Sequence, residues 1–235
     1  MQANNLQAKE KIRIPSATKP KALIQKKFSE ILIESPKWKA HLGNPEKPKP
    51  ATKTKNNPNV KITKTGWFVF GDSGHGKTTY MLMMAKELAK KYKVHYNTLE
   101  EGDKKSFQTA LIRAGLNDSK NFQFAQENLE ELSTRLRQKK QPKIVFIDSV
   151  QYFFRGKQFS QYEKFIEEFN DTLFIWVSGA VGKIPKGKLA DDIRYDCDIV
   201  NYIKDFRAEI RKNRFEATAP FVIWEEGYNQ RMLEL

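Results

Sequence analysis

The chain has 235 residues, 39% hydrophobic and 30% charged, enough for one sizeable core with some chain left over. Its single cysteine, Cys197, excludes an intramolecular disulfide, and His41, His75 and His95 are too scattered to build a zinc site with it. No run reaches the roughly 18 to 20 apolar residues of a membrane span, and no signal-peptide core opens the chain, so a soluble cytoplasmic protein with no membrane partner is expected.

Charge divides the chain. Residues 1–65 carry 15 basic and 4 acidic side chains out of totals of 42 and 28, so most of the net +14 lies in the first quarter. Residues 1–64 therefore read as a basic and largely disordered tail, rich in Lys, Asn and Pro, and 65–235 as a globular domain. Within the tail, Ala22, Leu23, Phe28, Ile31, Leu32 and Ile33 predict a short amphipathic helix near 22–35 that Pro36 stops, poised to dock on the body or on a partner.

From Gly66 onward, strand-length apolar runs alternate with helical patterns, the signature of βαβ units and a mainly parallel sheet. Strands are expected near 66–71, 93–98, 121–125, 143–148 and 172–178, with helices over 77–91, 103–115, 127–139 and 160–170. The segments 198–205, 207–214 and 220–225 read as further strands joined by tight turns.

The strongest chemical signal is Gly71-Asp72-Ser73-Gly74-His75-Gly76-Lys77-Thr78, followed by Thr79, which satisfies GxxxxGK[ST] between a strand and a helix. Glycines let the backbone wrap an anion, amide N–H groups face the phosphates, Lys77 reaches the β/γ oxygens, and Thr78 ligates Mg²⁺. Lys143 to Ile147 form a buried-strand run closed by Asp148, which fits a Walker B carboxylate on the same metal. Taken alone, such an Asp is as readily a turn former. Ser149 follows it, so the base that activates water must come from elsewhere. The run Val94 to Thr98 delivers Glu100 to a strand's C-terminal end, with Glu101 as fallback; a solvated acidic turn is the rival reading.

GDSGHGKTT, NTLEEG and IVFIDSVQ, in this order, resemble the phosphate loop, catalytic-glutamate strand and Walker B strand of RecA-like P-loop ATPases of the RadA and DnaB type. Residues 182–202 resemble the post-sensor loop and following strand, and Lys212-Asn213-Arg214-Phe215 matches the KNRF element of RadA-type proteins. The likeness spans about 66–226 and leaves out the tail. It implies ATP with Mg²⁺, hydrolysis to ADP and phosphate, a ring or filament, and Lys212 and Arg214 acting on a neighbour's nucleotide. A solvated basic edge strand is the plain alternative for that pair. Small ATPases of phages and mobile elements share this layout, which points to a bacterium or phage-infected host. Glu216 stands where RadA has Gly, and Ser178 is a weak substitute for the usual γ-phosphate sensor.

Two loops then become candidates for nucleic acid, single-stranded DNA first. Residues 149–160 interleave Tyr152, Phe153 and Phe154 with Arg155 and Lys157, and 179–194 offer Lys183, Lys186 and Lys188. The alternative puts Phe153 and Phe154 in the core. The tail adds a non-specific polyanion attractant. The resulting expectation is an ATP-hydrolysing motor or switch in recombination, replication or mobile-element maintenance. Its rivals are a nucleotide-gated loader for a helicase, recombinase or transposase, and a small-molecule kinase, for which no lid or acceptor pocket is evident.

Overall fold

The computed structural model describes residues 31, 33–43, 66–101 and 104–234. A single sheet organises them, entered at β1 (Gly66–Gly71), whose apolar residues Trp67 to Phe70 are all buried. Alternation sends Trp67 and Val69 to one core and Phe68 and Phe70 to the other, so β1 is covered on both faces, as a central parallel strand requires.

The remaining strands are β2 (Val94–Thr98), β3 (Phe122–Ala125), β4 (Ile144–Asp148), β5 (Leu173–Val181), β6 (Ile184–Pro185), β7 (Ile199–Lys204), β8 (Arg207–Asn213) and β9 (Phe221–Val222). Their order is β3-β2-β4-β5-β1-β7-β8-β9, parallel from β3 to β7 and antiparallel from β7 to β9, with β6 folding back on β5. The mainly parallel sheet with antiparallel C-terminal strands is the one the alternating pattern predicts. Helices α2 (Lys77–Ala89) and α3 (Lys105–Ala114) contribute to the first core. Helices α4 (Leu129–Leu136), α5 (Val150–Phe153), α6 (Phe159–Glu168) and α7 (Lys188–Asp196) contribute to the second, and α8 (Glu225–Leu233) follows β9. No helix among the described residues is long and apolar enough to cross a membrane.

Four expectations are corrected. Residues 22–30 and 32 of the anticipated N-terminal helix lie outside the described residues, but Pro36 opens a helix, α1 (Pro36–Leu42), instead of ending one. Proline suits a first helical position, where its missing N–H is not needed. The segment 179–194 is not one long loop: β5 runs on to Val181, pairs with β6, and α7 follows, burying Ala190 and Ile193. Phe153 and Phe154 are core residues, each 3% exposed, packed against Phe165 and Trp176. Finally, only Phe221–Val222 of 220–225 is strand, because Glu225 already belongs to α8.

The segment before β1 is seated on the body. Trp38 stacks on Phe221 with centroids 4.2 Å apart, and Ile31, Ile33 and Leu42 join the first core. Burying each such side chain is worth on the order of 1.5–3 kcal/mol. Polar bonds set the register. Glu87 Oε1 on α2 accepts the Glu34 and Ser35 N–H groups at 3.1 and 2.9 Å. His41 Nδ1 lies 3.0 Å from the Ala219 carbonyl, which can only accept, so Nδ1 carries the proton and Nε2 accepts from Tyr80 O–H at 2.8 Å. Tyr80 in turn accepts from Asn201 at 2.9 Å.

Burial holds His41 near pKa 4, against a weaker upward pull from Ala219. Burial likewise holds His95 near 4, against the charge of Glu127 3.0 Å away. Both folded-state values lie below the ordinary 6.5. The unfolded chain therefore binds protons that the folded chain refuses, and stability is lost as pH falls from about 6.5 towards 4. Each histidine contributes at most about 3 kcal/mol of that loss. Denaturant unfolding across this window should show uptake of about two protons, and His41→Gln should remove about one of them; an unchanged slope in the variant would show that His41 is not held neutral.

Candidate functional site

The geometry follows from two register facts. β1 ends at Gly71 between β5 and β7, and Thr98 of β2 lies opposite Asp148 of β4. Chain leaving β2 therefore passes over the end of β4, where the Leu99 and Glu100 N–H groups donate to the Asp148 carbonyl at 2.6 and 3.2 Å. This path brings Glu101, 23 residues beyond Thr78 in the chain, to the mouth of the phosphate loop.

The phosphate loop needs its glycines. A Cβ on Gly71 would stand 2.3 Å from the Ile203 carbonyl oxygen, and Gly76 has φ +91°, a left-handed conformation that costs an L-residue energy. Gly76 is also the N-cap of α2 and places no side chain on the first-turn N–H groups, which leaves them for an anion. Asp72, Ser73, Gly74 and His75 form the turn between, and Ser73, Gly74 and Thr79 are exposed. Lys77 Nζ rests 3.4 Å from the Asp72 carbonyl.

Thr78 Oγ1 donates to Glu101 Oε1 at 3.1 Å, and Asp148 Oδ2 accepts from Tyr96 O–H at 2.8 Å. Asp148 is 5% exposed, and its pKa rises to about 6. Burial is the largest cause; the Tyr96 hydrogen bond opposes it, Glu100 and Glu101 add to it, and Lys77 opposes it. Asp148 thus feels all three of these charges. Of the two glutamates, Glu101 is the one in contact with Thr78, while the Glu100 side chain is exposed.

The oxygen donors of Thr78, Asp148 and Glu101 suit a hard cation such as Mg²⁺. Asp148, held up at about 6 by burial among like charges, is the carboxylate that a bound cation would most relieve. Among the described residues no cluster of three or more carboxylate, histidine or cysteine groups can hold a metal alone. That fits an ion completing its shell with phosphate oxygens and water.

Lys212 and Arg214 are elsewhere. Lys212 pairs with Val200 near the start of β7, at the rim opposite this chain's phosphate loop. It donates to the Tyr195 carbonyl at 2.8 Å, and Arg214 Nε lies 3.0 Å from Asp198 Oδ1, so both address one turn between α7 and β7. The paired orientation expected for them is present; proximity to this chain's own phosphate loop is not.

Gln151 was not among the residues singled out from the sequence. Three residues beyond Asp148, its Nε2 donates to Ser178 Oγ at 2.7 Å and to the Lys186 carbonyl at 2.6 Å. It ties the Walker B strand, the end of β5 and the β5–β6 hairpin together. Ser178 itself is fully buried and donates to the Gly179 carbonyl at 2.8 Å. The only advance signal was the spacing from Asp148, which a short helix turns towards β5.

No protein-family model and no curated protein matches this chain. Among solved structures it is similar to the ATPase domain of a DnaB-like helicase, with a TM-score of 0.51 and 16% identity over 70% of this chain and 83% of that one. It is also similar to the flagellar accessory protein FlaH from Methanocaldococcus jannaschii, at 0.49 and 11% over 67% and 82%. At 16% identity the helicase likeness speaks for fold.

Proposed function

We propose that this chain, a RecA-like P-loop ATPase in fold, binds ATP with Mg²⁺ at the end of β1 and hydrolyses it to ADP and phosphate in response to nucleic acid. The observation that carries this reading is the meeting of the Thr78 hydroxyl, the Glu101 carboxylate, Asp148 and Lys77 at one rim of the sheet. Residues 71–79 cradle the phosphates, Lys77 neutralises their charge, and Thr78 with Asp148 holds the cation, which lowers the charge on the transferred phosphoryl group. Glu101 or Glu100 orients and deprotonates the attacking water.

The same rim supports an encounter with a polyanion. The β5–β6 hairpin and its exit carry exposed Lys183, Lys186 and Lys188, and Arg155 covers the exposed Tyr152 ring at 5.0 Å. A cation beside an open aromatic face suits single strands, with single-stranded DNA the first candidate. The basic residues of the first 64 positions add attraction without sequence preference. Lys212 and Arg214 are too far from this chain's phosphate loop to serve it, which favours their serving a second copy in a ring or filament. A nucleotide-gated loader with slow turnover is favoured by one observation: the Ser178 hydroxyl is already engaged by Gln151 and Gly179, which leaves the sensor position weak.

ATP turnover measured with and without single-stranded DNA, across protein concentration, tests these readings. Phosphate release should rise on adding DNA, and specific activity should rise with protein concentration. Constant specific activity on dilution would remove the shared site. Turnover indifferent to nucleic acid, or dependent on a small acceptor, would overturn the nucleic-acid reading. Hydrolysis without strand displacement would select the loader over the motor.

A further inference from the structure

β7 and β8 are joined by a two-residue turn, since Lys204 pairs with Arg207. Asp205 and Phe206 have φ of +48° and +58°, both left-handed, in positions where glycine or asparagine is the usual occupant. A bulky aromatic residue held in this conformation calls for a reason. The turn is bonded to the phosphate loop: Asp205 N–H donates to His75 Nδ1 at 2.9 Å, and Phe206 N–H to the His75 carbonyl at 3.3 Å. The Phe206 ring is seated on Gly76, where a Cβ would come within 3.1 Å of it.

Beside Phe206 stands Trp224, their rings near-perpendicular with centroids 5.0 Å apart. The indole lies on Gly227, where a Cβ would come within 2.1 Å of the six-membered ring, so its orientation is built in. It is nevertheless 48% exposed, whereas Trp38, Trp67 and Trp176 are at most 5% exposed. Nearby polar groups are engaged: Arg207 donates to the Tyr228 hydroxyl at 3.1 Å, and Asp205 faces His75.

The direction of a bound nucleotide follows from strand order. Asp148 and Glu101 lie on the β4–β2 side of β1, and the Asp205–Phe206 turn lies on the β7–β8 side. A triphosphate whose terminal phosphate meets the carboxylates sends its nucleoside towards the turn. We infer that Trp224 and Phe206 form a stacking platform for the nucleobase and that it takes purine nucleoside triphosphates by their ring faces, ATP and GTP alike. This rests on the phosphate-loop reading above and adds the base to it. Stacking discriminates poorly between bases because every base presents a π-face. Because the turn is bonded to His75, base contact also braces the phosphate loop.

The test uses the full chain with Mg²⁺ and three probes: ATP, GTP and inorganic tripolyphosphate, read by calorimetry and tryptophan emission. ATP and GTP should bind within about fivefold of each other and quench emission, and tripolyphosphate should bind without quenching. Trp224→Ala should weaken both nucleotides by about tenfold and leave tripolyphosphate unchanged, and Trp224→Phe should retain affinity but lose the signal. Gly227→Ala, which displaces the indole without removing it, should reproduce the loss. Equal weakening of all three probes, or none, by Trp224→Ala would overturn the platform while leaving the phosphate loop standing. GTP binding more than about 100-fold weaker than ATP would overturn recognition by ring face alone. Failure of the native chain to bind any probe would overturn the nucleotide reading itself, and the platform with it.

Discussion

Lys77→Ala should abolish turnover, with kcat falling by at least about 10²–10³. Lys77 opens α2, beside first-turn N–H groups that Gly76 leaves without a side-chain cap. Its ammonium is the one cation that acts on Asp148 among the groups perturbing it, opposing burial and the two glutamates. Without it, a triphosphate would be drawn into a rim lined by Asp148, Glu100 and Glu101 with no countercharge but the metal. The fold should survive, because Lys77 is only half-buried and its side-chain bond to Asp72 is long, 3.4 Å. The measurement is phosphate release beside a thermal melt. A melt unchanged within a few degrees with turnover lost is the expected pair, and normal turnover would remove the site from the end of β1. Lys77→Arg should not restore activity, since a planar fork does not replace a compact point charge within a closed loop.

The two glutamates divide the next largest effect. Glu101→Gln should lower kcat by about 10²–10⁴ while ATP still binds, because an amide keeps the shape but neither deprotonates water nor holds a cation as tightly. Glu100→Gln should cost less, its side chain being exposed while Glu101 accepts the Thr78 hydroxyl at 3.1 Å. Single-turnover phosphate release, paired with binding of a fluorescent ATP analogue, separates chemistry from affinity. Glu101→Gln with native turnover and Glu100→Gln without it would reverse the assignment and mean that the chain following β2 turns by one residue when nucleotide arrives.

That pair of residues also marks where local sequence stops being informative. A phosphate loop is legible because each part is locally required: Gly71 avoids the Ile203 carbonyl, Gly76 supplies a positive φ, and Lys77 and Thr78 open the helix. Asp148 is legible because a buried, otherwise apolar strand admits a carboxylate only at its end. Which of two adjacent glutamates turns inward is not, because beyond Thr98 the chain leaves strand alternation, and its path is set by hydrogen bonds to the Asp148 carbonyl from another strand.

The misplaced aromatics have a similar cause. Tyr152, Phe153 and Phe154 are consecutive rings, yet the latter two fill the space beside Phe165 and Trp176 while Tyr152 stays 45% exposed. Composition names the residue types and not the side of a four-residue helix. α7 hides among lysines and glycines because only Ala190 and Ile193 face the core, too short a stripe to register as a period.

Local sequence is enough for the alternation of strands and helices, the phosphate loop, the Walker B carboxylate and the concentration of basic charge in the first 65 residues. These rest on periodicity, on φ that only glycine adopts without strain, and on charge, all properties of neighbours in the chain. Only the folded chain brings Glu101 to Thr78, joins Ser178 to the β5–β6 hairpin through Gln151, seats α1 on Tyr80 through His41, and sets Phe206 and Trp224 beside the phosphate loop. Three of these side-chain bonds link residues 23 to 39 positions apart, and His75 lies 130 positions from Asp205. Over such separations it is sheet order and strand register, summed over the whole core, that place one side chain against another.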